Sequence, residues 1–274
     1  MSIVERYYDK HANYEKRRIF QDPYHMLEFI VTIHYLRKYL PKTGSILDCG
    51  CGSGNYAIVL ASMGYRVALV DISQKLLDIA VEKFRKSGKS DKLICVVKTS
   101  STDLSMFESS SFDAVLCFGP LYHLPDTKDQ IKTVEELRRV LKPRGTLFVS
   151  AISYYGVLGI IVKYFPEELI LESHKKLFEE GIHLSEWHNY DLDALPDAKF
   201  WKPIELRSFM EKHGFETLEM AACEGVFTHL RKEINNIARD KRKWRRVIEI
   251  AIKTSNDPTI LGSTEHFIWI GKKK

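Results

Sequence analysis

Two hydrophobic periods take turns along most of this chain. Short, densely apolar runs at Ser45–Cys49, Arg66–Asp71, Leu93–Lys98, Phe112–Phe118 and 145–152 predict five strands. Between them the apolar positions return every three or four residues. A helix over 53–63 follows the first strand. A second begins after Ser73, with Leu76, Leu77, Ala80, Val81 and Phe84 along one face, and a third over 127–141 is stopped by Pro143 and Gly145. Strands separated by helical stretches imply parallel pairing and right-handed crossovers. The expected fold class is therefore α/β, a doubly wound sheet covered on both faces.

The alternation stops after the fifth strand. Residues 154–200 are aromatic and histidine-bearing, read as helix without a clear strand, and are too long for a plain connection, so they are expected to form a cap over the active site. A helix over 203–213 ends at Gly214. Strands at 217–223 and 265–271 close the pattern, joined by one long helix over about 228–253. No internal repeat, low-complexity tract or linker interrupts the chain. One domain over 1–274 is expected, with residues 1–40 as an N-terminal helical segment and 154–200 as an insertion.

The densest chemical signal is Ile46-Leu47-Asp48-Cys49-Gly50-Cys51-Gly52-Ser53-Gly54, an apolar strand entering a glycine-rich turn that opens a helix. Glycines let backbone turn sharply and approach a ligand without a Cβ clash, and the helix start offers unpaired N–H groups. Asp71 ends the next strand, about twenty residues on, where a carboxylate can accept from both hydroxyls of a ribose. The pair specifies an adenosine-containing cofactor. A dinucleotide fingerprint has the spacing G-x-G-x-x-G, whereas here Gly50, Gly52 and Gly54 alternate. Asp48 precedes them, poorly placed for a pyrophosphate and well placed beside ammonium and sulfonium charges. That balance favours S-adenosylmethionine over NAD.

Composition narrows the setting. Hydrophobic residues make up 45% and charged residues 28% of the chain, which excludes a disordered class, and the net charge of +5 allows acidic partners without demanding them. Five cysteines form no CxxC pair and no zinc spacing, which reads as a reducing, cytoplasmic setting. The start of the chain carries charges where a signal peptide would be apolar. The longest apolar run, 154–165, is broken by Lys163 and too short to span a bilayer, so no membrane span is expected.

Leu47-Asp48-Cys49-Gly50-Cys51-Gly52-Ser53-Gly54 resembles motif I of the class I S-adenosylmethionine-dependent methyltransferases, and Val70-Asp71-Ile72-Ser73 resembles the segment that follows it. Ser111-Phe112-Asp113-Ala114-Val115-Leu116 is similar to the fourth-strand motif. Phe118-Gly119-Pro120-Leu121-Tyr122-His123-Leu124 is similar to a loop of small-molecule members related to the quinone-biosynthesis enzymes. Val140-Leu141-Lys142-Pro143-Arg144-Gly145 resembles the turn into the fifth strand, with arginine where glycine is usual. The resemblance spans nearly the whole chain and implies a Rossmann-like seven-stranded sheet whose last strand is antiparallel.

It also implies roles. Gly50, Gly52 and Gly54 would line the methionine and ribose parts of the cofactor, with Ile72 beside them. Asp48 and the Phe118 carbonyl would face the methionyl amine, and Asp71 would hold the ribose. Where relatives have Gly-Asp-Ala, this chain has Thr99-Ser100-Ser101, leaving Ser100, Ser101 and Thr102 as adenine contacts. Tyr7 to Tyr14 resembles a tyrosine-bearing lid, with Tyr8 and Tyr14 as its contacts; an amphipathic helix packed on the sheet fits the same residues.

Methyl transfer needs alignment and exclusion of water more than acid–base help, and a base only where the acceptor must lose a proton. His123, after the fourth strand, is the candidate base, with a structural role as the alternative. Tyr122, His123, Tyr154 and His188 are the candidate acceptor contacts. The insertion adds His174, His183, Trp187, Tyr190 and Trp201, whose aromatic character suits an apolar small molecule; their spacing matches no metal motif, and no metal is expected. The expected partner is thus a small-molecule substrate, methylated at an oxygen or a nitrogen nucleophile. The competing readings are an RNA or protein methyltransferase using the basic face 241–246, and a binding module without catalysis. Helical spacing of Ile234, Ile237, Trp244, Ile248, Ala251 and Ile252 makes those cations the solvated flank of a packed helix, so nucleic acid is disfavoured.

Overall fold

The computed structural model describes residues 1–189 and 191–274; Tyr190, named above, lies outside the described residues. The chain begins with α1 (Ile3–Glu15), whose N-cap Ser2 accepts from the Glu5 N–H, and α2 (Pro23–Tyr39), capped in the same way by Asp22 with proline in its first turn. The alternating unit follows: β1 (Ser45–Cys49), α3 (Asn55–Ser62), β2 (Arg66–Asp71), α4 (Gln74–Lys86), β3 (Leu93–Lys98), β4 (Phe112–Phe118), α5 (Thr127–Val140) and β5 (Leu141–Ile152). Then come α6 (Tyr154–Tyr164), α7 (Lys175–Glu180), β6 (Ile182–His183) and β7 (Ala198–Lys199). The chain closes with α8 (Pro203–Lys212), β8 (Phe215–Ala222), α9 (Arg231–Ile237), α10 (Lys241–Thr254), α11 (Pro258–Leu261) and β9 (His266–Lys273).

Seven strands form one sheet in the order β3-β2-β1-β4-β5-β9-β8. The first five are parallel, and β9 inserts antiparallel between β5 and β8. Parallel strands buried on both faces must be apolar on both faces, which is why β1, β2 and β4 read as continuous runs. One layer packs Leu27, Leu36, Leu60 and Phe84 against Ile46, Leu69 and Leu116. The other packs Leu137, Leu206 and Met210 against Leu47, Val115 and Trp269. The strand order reverses at β1 and β4, so their carboxyl ends open a crevice where ligands of such sheets bind.

Four expectations are corrected. The helix after the glycine turn starts at Asn55, not Ser53, because Gly54 is left-handed (φ +72°) and serves as its N-cap. β5 runs from Leu141 rather than residue 145, pairing with β4 through a register shift. The long helix over 228–253 is broken, because the Asp240 carboxylate accepts from the Arg242 and Lys243 N–H groups (2.8 and 3.2 Å) and starts α10 afresh. The insertion, read as strandless, contains the antiparallel pair β6–β7. Among the described residues no helix is long and apolar enough to cross a membrane.

Trp269 sits fully buried on β9 between β5 and β8; its indole N–H donates to Thr217 Oγ1 (3.0 Å) and its ring meets Phe215 edge-on. Trp269→Ala is expected to destabilise the fold by roughly 3–5 kcal/mol. Urea unfolding monitored by circular dichroism checks this, and a loss below about 1 kcal/mol would show that the sheet edge closes without it.

Candidate cofactor and acceptor site

The glycine turn is fixed from below. The Gly50 and Cys51 N–H groups both donate to the Val70 carbonyl (2.7 and 3.0 Å), tying the end of β1 to the end of β2. Gly52 has φ +51° and open space where a Cβ would stand, so its backbone is bare to the crevice. A Cβ at Gly50 would strike the Pro120 ring, so that glycine admits the loop after β4 against the turn. Gly54 does something else. Its Cβ would lie 3.0 Å from that of Ala80, and it forms no part of the crevice wall. The cofactor contact expected of Gly54 is corrected to close packing of α3 on α4.

Asp71 is almost buried, and both its oxygens are engaged: Oδ2 accepts from the Gly52 N–H (2.8 Å) and Oδ1 from the Ser73 N–H (2.9 Å). Each oxygen keeps a lone pair for a further donor. Burial pushes its carboxyl up to about 6, held back by those backbone donors. Asp48 is buried too, and burial together with the charge of Asp71 pushes it up to about 7. Asp48 Oδ2 and Ser53 Oγ are buried without a hydrogen-bond partner, and both residues line the crevice. A buried polar atom left unmatched costs about 1–3 kcal/mol, so the wall is short of a ligand's donors and acceptors. That deficit fits a ligand carrying an ammonium and hydroxyls, as S-adenosylmethionine does.

The crevice has a volume of about 880 Å³, near the upper end of ligand pockets and roomy enough for a cofactor and a second molecule. Asp48, Gly50, Gly52, Asp71, Ile72, Ser100, Ser101 and Phe118 line one end. Thr102 does not, because its hydroxyl turns back onto Ser100 Oγ (2.9 Å), and its expected adenine contact is corrected. Tyr8, Tyr14, Tyr122 and His123 line the middle, Tyr14 with nearly half its surface exposed.

His123 is in the wall but engaged at both ring nitrogens. Its Nδ1–H donates to the Asp197 carbonyl (3.0 Å), and its Nε2 accepts from the Tyr8 hydroxyl (2.7 Å). Burial lowers its pKa to about 4 against that carbonyl, so the ring is neutral. In this arrangement the ring takes the structural alternative to the expected base, a latch that joins α1, the loop after β4 and the insertion. From the insertion, Leu195 and Asp197 reach the crevice, while the Leu192 carbonyl accepts from His11 Nε2 (2.6 Å) and Asp193 pairs with Lys10 (2.8 Å). Tyr154 and His188 do not line the crevice. The Tyr154 hydroxyl donates to the Phe178 carbonyl inside the insertion, and His188 stacks on His183. Both lose their expected acceptor contacts.

The far end of the crevice was not anticipated. Glu15, Arg18, Glu28, Thr32, Tyr56, Cys223 and His266 line it. Arg18 forms a two-pronged pair with Glu28 (2.9 and 3.2 Å), which holds the Glu28 carboxyl at about 2 despite its burial. His266 Nδ1 donates to Glu224 Oε1 (2.9 Å), and Glu224 is buried and also accepts from the Thr264 hydroxyl and the His266 N–H. Burial would lower the His266 pKa, but the Glu224 and Glu28 carboxylates hold it at about 9, so the ring is protonated at neutral pH. Its Nε2 has no hydrogen-bond partner among the described residues. No motif spacing links these positions; helical periodicity places Glu28 in α2, but only the fold brings it to β9.

A sheet in this order, a bare glycine turn after β1, a carboxylate ending β2 and an antiparallel strand pair at the edge define the Rossmann-like methyltransferases as a class. A model of the methyltransferase domain matches residues 47–149. The chain is 33% identical over 198 residues to a ubiquinone biosynthesis O-methyltransferase of Xanthomonas axonopodis, covering 72% of each chain. It is 32% identical over 175 residues to the enzyme of the same description from Thiobacillus denitrificans, covering 64% of this chain and 66% of that one. A SAM-dependent methyltransferase structure from Methanosarcina mazei shares the fold, with a TM-score of 0.60 at 24% identity over 87% of this chain and 96% of that one. The protein belongs to the class I S-adenosylmethionine-dependent methyltransferases. It is an enzyme of methyl transfer, and S-adenosylmethionine is its cofactor.

The raised Asp48 carboxyl has a measurable consequence. The site favours its neutral form, so binding a cationic amine beside it must expel a proton below about pH 7. Affinity for S-adenosylhomocysteine is expected to rise about tenfold per pH unit from pH 6 to 7 and level off above, with Asp71 adding a second proton below about 6. Asp48→Asn should bind more weakly and lose the step near 7. Calorimetry at several pH values checks this; an unchanged step in Asp48→Asn would place the amine elsewhere.

Proposed function

We propose that the enzyme methylates a small molecule at an oxygen nucleophile held at the far end of the crevice. The observation that carries this reading is one continuous crevice that runs from the glycine turn to His266, with Tyr7, Tyr8 and Tyr14 of α1 in its wall. Its volume of about 880 Å³ leaves room for a second small molecule beside the cofactor. When bound, S-adenosylmethionine supplies an electrophilic methyl on a sulfonium, already a good leaving group. The chain's own residues then have two tasks. Asp48, the Gly50–Ser53 backbone and Asp71 hold the cofactor, while α1, latched through Tyr8 and His123, keeps water out.

The second task is to present the nucleophile. Of the imidazoles that line the crevice, His123 and His266, only His266 has a ring nitrogen free of protein partners. With Glu224 fixing Nδ1–H, the Nε2–H of His266 donates into the cavity, where it favours the ionised form of an acceptor hydroxyl or an acceptor carboxylate. The ubiquinone-biosynthesis relatives carry O-methyltransferase in their names, which supports an oxygen acceptor. The basic residues 241–246 on α10 line no part of this cavity, which disfavours the polymer reading.

Enzyme incubated with methyl-labelled cofactor and fractionated cell extract is expected to label the small-molecule fraction. His266→Gln should lower that turnover by about 10²-fold while leaving S-adenosylhomocysteine affinity within twofold. Turnover is also expected to fall as pH rises through about 9, where His266 loses its proton. Label found only in RNA or protein, or full turnover in His266→Gln, would contradict the reading.

A further inference from the structure

The insertion between β5 and α8 brings together three metal-ligating side chains that the methyl-transfer site does not use. Glu168 lies in the turn Pro166–Ile170, His174 ends the turn Glu172–His174, and His188 ends the turn Ser185–His188. Their ligating atoms all lie within 4.8 Å of one another. His174 is 1% exposed, and its Nε2, 3.4 Å from Glu168 Oε2, has no hydrogen-bond partner. Its other nitrogen, Nδ1, is held by Ser173 Oγ at 3.1 Å, which orients the ring with Nε2 toward Glu168. A buried imidazole nitrogen turned to a carboxylate without bonding it, beside a second imidazole, is an arrangement with a missing partner.

We propose that Glu168, His174 and His188 bind a divalent transition-metal ion, with Zn²⁺ the best match. Two imidazoles and one carboxylate form a borderline donor set suited to zinc, with water completing a tetrahedron. The surroundings supply an outer shell. Trp187 packs on the His174 ring at 4.8 Å, and Ser173 fixes that ring as outer-shell groups fix ligating histidines. His183 belongs to the packing and is not a ligand, since it stacks on His188 and its Nε2 is bonded to the Leu195 carbonyl (3.1 Å). A second group, Glu224, Glu265 and His266, is equally close, but Tyr24, His229, Thr264 and His266 already donate to its carboxylates.

The site is structural in position, since none of its three residues lines the crevice. It cross-links turns that leave much of their apolar surface unburied, with Ile170 86% exposed and Phe165, Leu169 and Leu171 exposed beside it. His188 lies just before the stretch 191–197, which grips α1 through His11 and Lys10 and adds Leu195 and Asp197 to the cavity wall. The ion would stiffen the insertion and, through it, the roof of the site. Spacing rules miss the set because its three members are far apart in sequence and meet only through successive turns.

The test uses the full chain, stripped with chelator and titrated with ZnCl₂ by calorimetry against a competing chelator. One zinc per chain is expected, with a higher melting temperature. His188→Gln, whose side chain is only part-buried, should bind zinc on the order of 100-fold more weakly and lose the zinc-dependent stabilisation. Binding of S-adenosylhomocysteine to the same samples verifies that each variant is folded and keeps failure of this site distinct from failure of the methyltransferase reading. Zinc bound equally well by His188→Gln, or no zinc bound by a folded wild type, would overturn the proposal.

Discussion

The carboxylate of Asp71 is the constraint around which the site is arranged. One oxygen holds the Gly52 N–H and the other the Ser73 N–H, so the glycine turn after β1 and the start of α4 are set by a single side chain at the end of β2. Ser73 extends the junction, since its hydroxyl caps α4 by accepting from the Leu76 N–H (3.2 Å) and donates to Asp9 of α1 (2.6 Å). Cofactor turn, helix start and covering helix therefore meet at one buried acid. Burying it raises its pKa, and it acts together with the Val70 carbonyl, which holds the Gly50 and Cys51 N–H groups, in fixing the turn.

The two ends of the cavity differ in how they manage charge. At the cofactor end, Asp48 and Asp71 are close acids whose ionisation opposes each other, a condition that a cationic ligand relieves. At the far end the charges are largely paired, Arg18 with Glu28 and Glu15 and His266 with Glu224, so that compartment is polar and cross-linked by ion pairs. His123 stands between them as a neutral tie from Tyr8 to Asp197. A ring spent on two protein hydrogen bonds orders the cover, whereas a ring with one free nitrogen can meet a substrate. The position of His123 after β4 pointed to chemistry, and its partners assign it to closure instead.

The sheet was legible because its signals are local. Buried parallel strands are apolar throughout, helices repeat at 3.6 residues, and Ser73 and Gly54 punctuate their ends. The convergence of Asp48, Gly50, Gly52 and Asp71 on one end of the crevice was legible for the same reason, since they lie in two adjacent strand–turn units. What escaped was long-range. Glu28 and His266 are brought together by the insertion of β9 beside β5, a topological event no periodicity reports. Gly54 looked like a ligand contact because glycine serves both a ligand and a close-packed helix, and only the position of Ala80 separates the two. Thr102 and Tyr154 offered the right groups at plausible positions but spend them on Ser100 and the Phe178 carbonyl. The break before α10 was missed because one aspartate cap outweighs a continuous helical pattern.

If Asp71 couples the cofactor turn to the covering helix, the two should respond to cofactor together. Hydrogen–deuterium exchange with and without S-adenosylhomocysteine measures that coupling directly. Amides of residues 50–53 and of α1 are expected to gain protection in parallel, on the same ligand-concentration curve. Protection of the turn with unchanged exchange in α1 would contradict the claim that they form one unit.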